Sequence, residues 1–181
     1  MESSGRDIAL PGGGVVALRP VTPDDAEFLR AVYASTRADE LAHVNWDARQ
    51  KDAFLRMQAD AQRHEYEARY PNAQYDVILL DGAPVGRLWI GRSEAEIRLL
   101  DIALLPAAQN RGIGGALIRR LIAEAQQTGK RLRHMVFIMN RDAQRFYERL
   151  GFRVIEDLGA YQHMEWQGDA DGSETAASAR G

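Results

Sequence analysis

The residues best placed to do chemistry are Gln109-Asn110-Arg111-Gly112-Ile113-Gly114-Gly115, which separate an apolar run ending at Pro106 from an amphipathic stretch reaching Gln127. A buried strand that passes through a glycine-rich bend into a helix leaves the first amides of that helix without intrahelical partners. Those N–H groups point outward with the positive end of the helix dipole behind them, and glycine lets a ligand come close to the backbone. The chemistry that fits is capture of a phosphate or pyrophosphate. Two common forms of such a site fail here. A P-loop needs Lys followed by Ser or Thr after its last glycine, and Ala116-Leu117 stand there instead. A GxGxxG dinucleotide fingerprint is broken at Leu117, and no parallel βαβ unit opens the chain.

Gln109-x-x-Gly112-x-Gly114 after a strand resembles the signature of the GNAT superfamily of N-acetyltransferases. Further along, Asn140-x-x-Ala143-x-x-Phe146-Tyr147-x-x-x-Gly151-Phe152 resembles the second hallmark of that family. The two motifs lie within residues 99–152, and the resemblance extends over residues 15–166. It implies acetyl-CoA held in a cleft where two neighbouring parallel strands splay apart. The backbone of Ile102, Ala103 and Leu104 would pair with the pantetheine arm like an added strand. The segment from Gln109, through the amides of Asn110, Arg111, Gly112, Ile113, Gly114 and Gly115, would cradle the pyrophosphate. Asn140 would hydrogen-bond the pantetheine, Phe146 would pack beside it, and Tyr147 would sit near the thioester sulfur.

Those residue types suit the reaction the resemblance implies. An amine attacking a thioester expels a thiolate whose reference pKa resembles that of a cysteine, about 8.5, and a tyrosine hydroxyl of pKa about 10 can supply its proton. A backbone amide such as that of Leu104 could polarise the carbonyl. The chain has no cysteine, which excludes an acyl-cysteine route and makes direct transfer in a ternary complex the natural mechanism. One feature departs from the family. Some members carry a glutamate base eleven residues ahead of the Gln, and that position is Arg98 here. Glu96 and Asp101 are near but do not match it, and Asp101, on an otherwise apolar strand, is read as a hydrogen-bonded structural residue.

The acceptor is expected to be an amine, on a small molecule or a peptide. N-terminal helices shape acceptor choice in the family, so His43, Trp46 and Tyr70 are the pocket candidates, with Tyr66 and Tyr75 either core or lining. His43, His64, His134 and His163 show no metal-ligand spacing and are read as structural or surface residues. Arg119-Arg120 reads as a solvated helix face. A rival reading is a catalytically degenerate module that binds acyl-CoA and regulates a partner.

The elements that must position these residues follow from pattern. Thr22-Pro23-Asp24-Asp25 opens a helix running to about Thr36, and Asp47 with Gln50 opens another that ends near Tyr70. Tyr75–Leu80 and Val85–Ile90 read as strands joined at Asp81-Gly82, followed by a long run from Glu96 to Leu105. After the Ile113–Gln127 helix come a strand to Met139, a helix from Arg141 to Leu150 and two final strands. This predicts an α/β (α+β) domain with a twisted, mixed and mostly antiparallel sheet of about 6–7 strands and about 4 helices.

With 181 residues, 45% apolar and 27% charged, the chain is long enough for one domain with its own core. Residues 1–14 read as a loose leader, 15–166 as the folded domain, and 167–181 as a tail without a large apolar residue. A net charge of −3 gives no reason to expect nucleic acid, and no apolar run suggests a membrane span. The N-terminus lacks a secretory pattern, so a cytoplasmic location is expected, as a monomer or homodimer.

Overall fold

The computed structural model describes residues 7–168. They fall into two compact units: residues up to Arg92 together with Leu100–Ala116, and Ser93–Leu99 together with the chain from Leu117 onward.

The first unit opens with β1 (Ile8–Ala9) and β2 (Val15–Pro20), which pair antiparallel. A single 3-10 turn over Pro23–Asp25 then leads into α1 (Ala26–Ala42). Asp25 organises this entry. Its carboxylate accepts from the Thr22 amide at 2.8 Å and from both terminal nitrogens of Arg19 at 2.7 and 2.8 Å. Helix α1 runs past the expected Thr36, because Leu41, on the same face as Tyr33 eight residues earlier, is also buried. Helix α2 (Ala48–Arg69) starts as its sequence predicts: Asp47 Oδ1 accepts from the Gln50 amide at 2.8 Å while Gln50 Oε1 accepts from the Asp47 amide at 2.9 Å. β3 (Gln74–Leu80) and β4 (Ala83–Arg92) form the hairpin signalled by Asp81-Gly82. Both turn residues have positive φ, 51° and 83°, the geometry whose twist matches that of paired strands. Val16, Val32, Val77, Ile78, Leu88 and Ile90 form the dry interior.

β5 (Glu96–Leu104) belongs to both units, its first four residues to the second and the remainder to the first. In the second unit, Glu96–Leu99 pair in parallel with the start of β6 (Arg131–Phe137). β6 then pairs antiparallel with β8 (Tyr161–Trp166), and β8 with β7 (Phe152–Asp157). Helix α3 (Ile113–Thr128) begins in the first unit and continues in the second, which also contains α4 (Arg141–Arg149). Ile97, Leu99, Leu117, Ile118, Leu132, Phe152 and Met164 make its core.

The ladder order is β1-β2-β3-β4-β5-β6-β8-β7, so among the described residues the sheet has eight strands rather than the expected six or seven. The additional strand is β1. It lies inside the segment read as a loose leader, where Ile8 and Ala9 pair with Val16 and Val15 and Leu10 is buried. The outer parts of the expected leader and tail, residues 1–6 and 169–181, lie outside the described residues.

Candidate functional site

In the first unit, β5 leaves the sheet at Leu104 and a 3-10 turn over Pro106–Ala108 carries the chain to the glycine-rich bend. Ala108 and Ile113, 3% and 1% exposed, anchor the bend at both ends, while Gln109, Asn110, Arg111 and Gly112 are exposed between them. The Gln109 side-chain amide donates to the Leu104 carbonyl at 3.0 Å and ties the bend back to its strand. Asn110 (φ 58°) and Gly112 (φ 82°) both take the left-handed conformation. A Cβ on Gly112 would meet nothing within 4 Å, so backbone conformation, and not crowding, selects glycine there. The Ala116 amide bonds to the Gly112 carbonyl at 3.0 Å, and the amides of Ile113, Gly114 and Gly115 precede it in the first turn of α3. This arrangement fits an anionic diphosphate: exposed, amide-lined and fixed by buried neighbours.

Just ahead, Ile102 and Leu104 are half-buried and Ala103 is buried. Gly86 of β4 lets this stretch of β5 come close, since a Cβ there would collide with the Ala103 carbonyl oxygen and stand 3.1 Å from Leu104 Cα. Asp101 has the structural role expected of it. Its Oδ2 accepts from Arg87 Nε at 2.6 Å, and Arg87 Nη2 donates to Gln62 Oε1 at 3.0 Å. The Arg87 guanidinium also lies 4.4 Å from the ring centroid of Trp89. Tyr66 donates to the Leu100 carbonyl at 3.3 Å, and burial, with Asp101 adding to it, pushes its hydroxyl up to about 12. Tyr66 and Tyr75 pack edge-on against Trp89, with centroids 5.5 and 5.3 Å away, which places both in the interior cluster.

The acceptor-pocket candidates sit on separate elements. His43 is exposed at the end of α1, and Trp46, in the α1–α2 link, packs edge-on against Phe54 at 5.2 Å. Tyr70 ends α2, and its carbonyl accepts from the Tyr75 hydroxyl at 3.3 Å.

In the second unit, Asn140 caps α4, its Oδ1 accepting from the Ala143 amide at 3.1 Å. Phe146 is half-buried beside Tyr147, which is 3% exposed. The Tyr147 ring is enclosed by Phe146, Phe152 and His134, with centroids 5.1, 5.3 and 4.6 Å away. The sequence reading missed His134 as a neighbour of Tyr147. Its Nδ1 lies 2.9 Å from the Leu99 carbonyl, which can only accept, so Nδ1 carries a proton. The signal for this was an imidazole between Arg133 and Met135 of β6, which spacing alone does not connect to Tyr147. Buried Gln144 fixes α4 by donating to the Ile138 carbonyl at 3.1 Å.

Arg98, at the position of the family glutamate, is bound to Glu96 at 2.6 Å. Glu96 also holds Arg133 at 3.0 Å, and Arg133 reaches Glu165 at 2.7 Å. Burial would raise the Glu96 carboxyl, but the two arginines outweigh it and hold the group below its ordinary value. Glu96 is therefore ionised and fully engaged. Arg119 is exposed, as expected of a solvated helix face, whereas Arg120 is half-buried. Among the described residues no group of three or more His, Asp or Glu could hold a metal ion, and no helix is long and apolar enough to cross a membrane.

Among the described residues, one mixed sheet of eight strands is accompanied by four helices, a glycine-rich bend opening α3 and an asparagine capping α4. The sequence profile of the acetyltransferase (GNAT) family matches residues 38–152, more than half of the chain, and the chain belongs to that family. It is 26% identical over 105 residues to the uncharacterized N-acetyltransferase CgeE of Bacillus subtilis, covering 52% of this chain and 40% of CgeE. It is 36% identical over 98 residues to the uncharacterized N-acetyltransferase MJ1207 of Methanocaldococcus jannaschii, covering 49% of this chain and 42% of that one. The chain thus matches less than half the length of these two relatives. Among solved structures, the PaiA N-acetyltransferase of Thermoplasma acidophilum in complex with coenzyme A superposes with a TM-score of 0.64 at 18% identity, covering 84% of this chain and 99% of its own. An acetyltransferase of Thermus thermophilus superposes at 0.59 with 26% identity, covering 83% and 94%.

Proposed function

We propose that this protein is an N-acetyltransferase that moves an acetyl group from acetyl-CoA to a primary amine by direct attack. The observation that supports this most is the bend at Asn110 and Gly112, whose left-handed residues lead into the first turn of α3. In this reading the amides from Asn110 to Gly115 hold the pyrophosphate, with Gln109 fixing the bend. The extended backbone of Ile102, Ala103 and Leu104 aligns the pantetheine, and Asn140 and Phe146 contact it. Acetyl-CoA contributes an activated acyl group on a thiol ester. The amine nitrogen forms the new C–N bond, the C–S bond breaks with its electron pair on sulfur, and Tyr147 gives its hydroxyl proton to that sulfur. The amine proton leaves to water, because Glu96 is committed to Arg98 and Arg133, and a proton from water restores the Tyr147 hydroxyl. Leu104 N–H is the donor suited to the carbonyl oxygen as it gains charge. His43, Trp46 and Tyr70 are proposed to shape acceptor choice.

The test is release of free CoA thiol across a panel of small amines, amino acids and peptides, alongside calorimetric titration with acetyl-CoA. Saturable binding with amine-dependent thiol release supports the proposal. Binding without release for any amine supports the second reading, a non-catalytic acyl-CoA-binding regulator, which the Arg98–Glu96 pair favours because it occupies the place of the family base. No binding at all removes both readings.

A further inference from the structure

Six of the nine exposed large apolar side chains among the described residues fall between residues 137 and 161. Phe137, at the end of β6, stands opposite Tyr161 of β8 with ring centroids 5.5 Å apart. Met139, two residues on, is 73% exposed. Leu158, 52% exposed, donates its amide to the Tyr161 carbonyl at 2.9 Å, which brings the β7–β8 turn to the same end of the sheet. Val154 and Ile155 follow one another in β7 and both are exposed, at a register shift in the β7–β8 ladder. β7 ends the strand order, and all of its residues from Arg153 to Asp157 are exposed. An edge strand of this kind presents unpaired N–H and C=O groups beside apolar side chains.

After Gly168 the sequence has no apolar residue larger than alanine. The strand instead carries its own complement, since Arg153-Val154-Ile155-Glu156-Asp157 runs from positive through apolar to negative. Laid antiparallel against itself with the two-fold at Ile155, it sets Arg153 across from Asp157 of the other copy. With the two-fold between Val154 and Ile155, Arg153 faces Glu156. Either register makes the pair twice, because a two-fold interface repeats each contact. Among the described residues the Arg153 guanidinium meets the carbonyls of Glu148 and Phe152 rather than a carboxylate. We infer that a second copy of this chain covers this surface, with β7 pairing antiparallel to β7 across a two-fold axis. The ladder is short because of the shift at Ile155, so Phe137, Met139, Leu158 and Tyr161 provide the apolar area that a stable interface requires, on the order of 1,000 Å² or more in total. This inference is independent of the acetyltransferase reading.

Light scattering and sedimentation of the full chain test it. The expected mass is twice 20.2 kDa. Ile155→Glu with Met139→Glu should give single chains with an unchanged circular dichroism spectrum. Met57→Glu, at a 58% exposed position on α2, should leave the dimer intact. Arg153→Glu should weaken association, and adding Glu156→Arg and Asp157→Arg should restore it. A single-chain mass at every concentration would overturn the inference, as would a dimer that survives the double substitution or is lost in Met57→Glu. A single-chain protein in which the patch variants change only the KM for the amine would reassign the surface to the acceptor.

Discussion

Arg87 and Asp101 face each other from β4 and β5, Nε to Oδ2 at 2.6 Å, with the Arg87 side chain only 4% exposed and that of Asp101 22%. Asp101 immediately precedes Ile102, so this pair holds the stretch of β5 on which the proposed pantetheine contact depends. Asp101→Ala leaves a buried guanidinium that keeps Gln62 and the Trp89 and Tyr33 rings as partners. The expected loss, read by urea denaturation, is about 3 kcal/mol, the low end for breaking a buried pair because Asp101 is partly solvated. Arg87→Met combined with Asp101→Leu should recover much of that loss, since the apolar pair leaves no charge to desolvate.

Gly86→Val should act through the backbone. Its side chain cannot share space with the Ala103 carbonyl and Leu104 Cα, so β5 must shift. Stability should fall by about 1–3 kcal/mol. Acetyl-CoA affinity, measured by calorimetry, should fall with it, because the displaced residues are those proposed to line the cofactor.

Asp25 gives the fold an acid-sensitive entry to α1. Its hydrogen bonds from Arg19, supported by Thr22, hold the carboxyl far below its ordinary value of 3.8 against the opposing effect of burial. A lowered folded-state pKa stabilises above the unfolded value, and that contribution drains away as the pH falls below about 4 toward the folded value. Asp25→Asn should cost about 1.5–3 kcal/mol at neutral pH, the range for hydrogen bonds to a charged group, and should flatten this part of the acid limb. Thermal melts between neutral and strongly acidic pH check both.

Tyr147→Phe should lower kcat by about 10²-fold or more while leaving acetyl-CoA affinity largely intact, as loss of a general acid requires. Gly114→Glu places a carboxylate where a diphosphate is proposed to bind. It should abolish the rise in Tm that saturating acetyl-CoA gives the parent protein. Full activity in the first variant removes the acid role from Tyr147, and an undiminished shift in the second removes the anion cradle.

Local chemistry made part of this structure legible. The Asp47–Gln50 reciprocal cap and the Asp81-Gly82 turn each depend on residues within three positions of one another, and each formed as its sequence predicts. What stayed hidden depends on partners distant in the chain. β1 is two residues long and exists because β2 lies beside it, a pairing that no periodicity of Ile8-Ala9 could announce. Asp101 was visible as a charge among Leu99, Leu100, Ile102 and Ala103, yet only the packing of β4 near β5 supplies Arg87 as its partner. His134 and Tyr147 are thirteen positions apart, and their contact requires α4 to lie over β6. The two motifs could be read because short spacings encode them, whereas the acceptor candidates, scattered along α1, α2 and their link, carry no such spacing.

The cap at Asn140 also settles a question of polarity. Because Oδ1 is engaged by the Ala143 amide, the group this side chain can offer outward is its NH₂. A molecule lying against the NH₂ meets a donor and is best matched by an acceptor such as a carbonyl oxygen. A thioether or methylene segment would leave that amide unanswered. In the proposed complex the cap would therefore set the lengthwise register of an extended guest, by favouring one of its carbonyls at a single place.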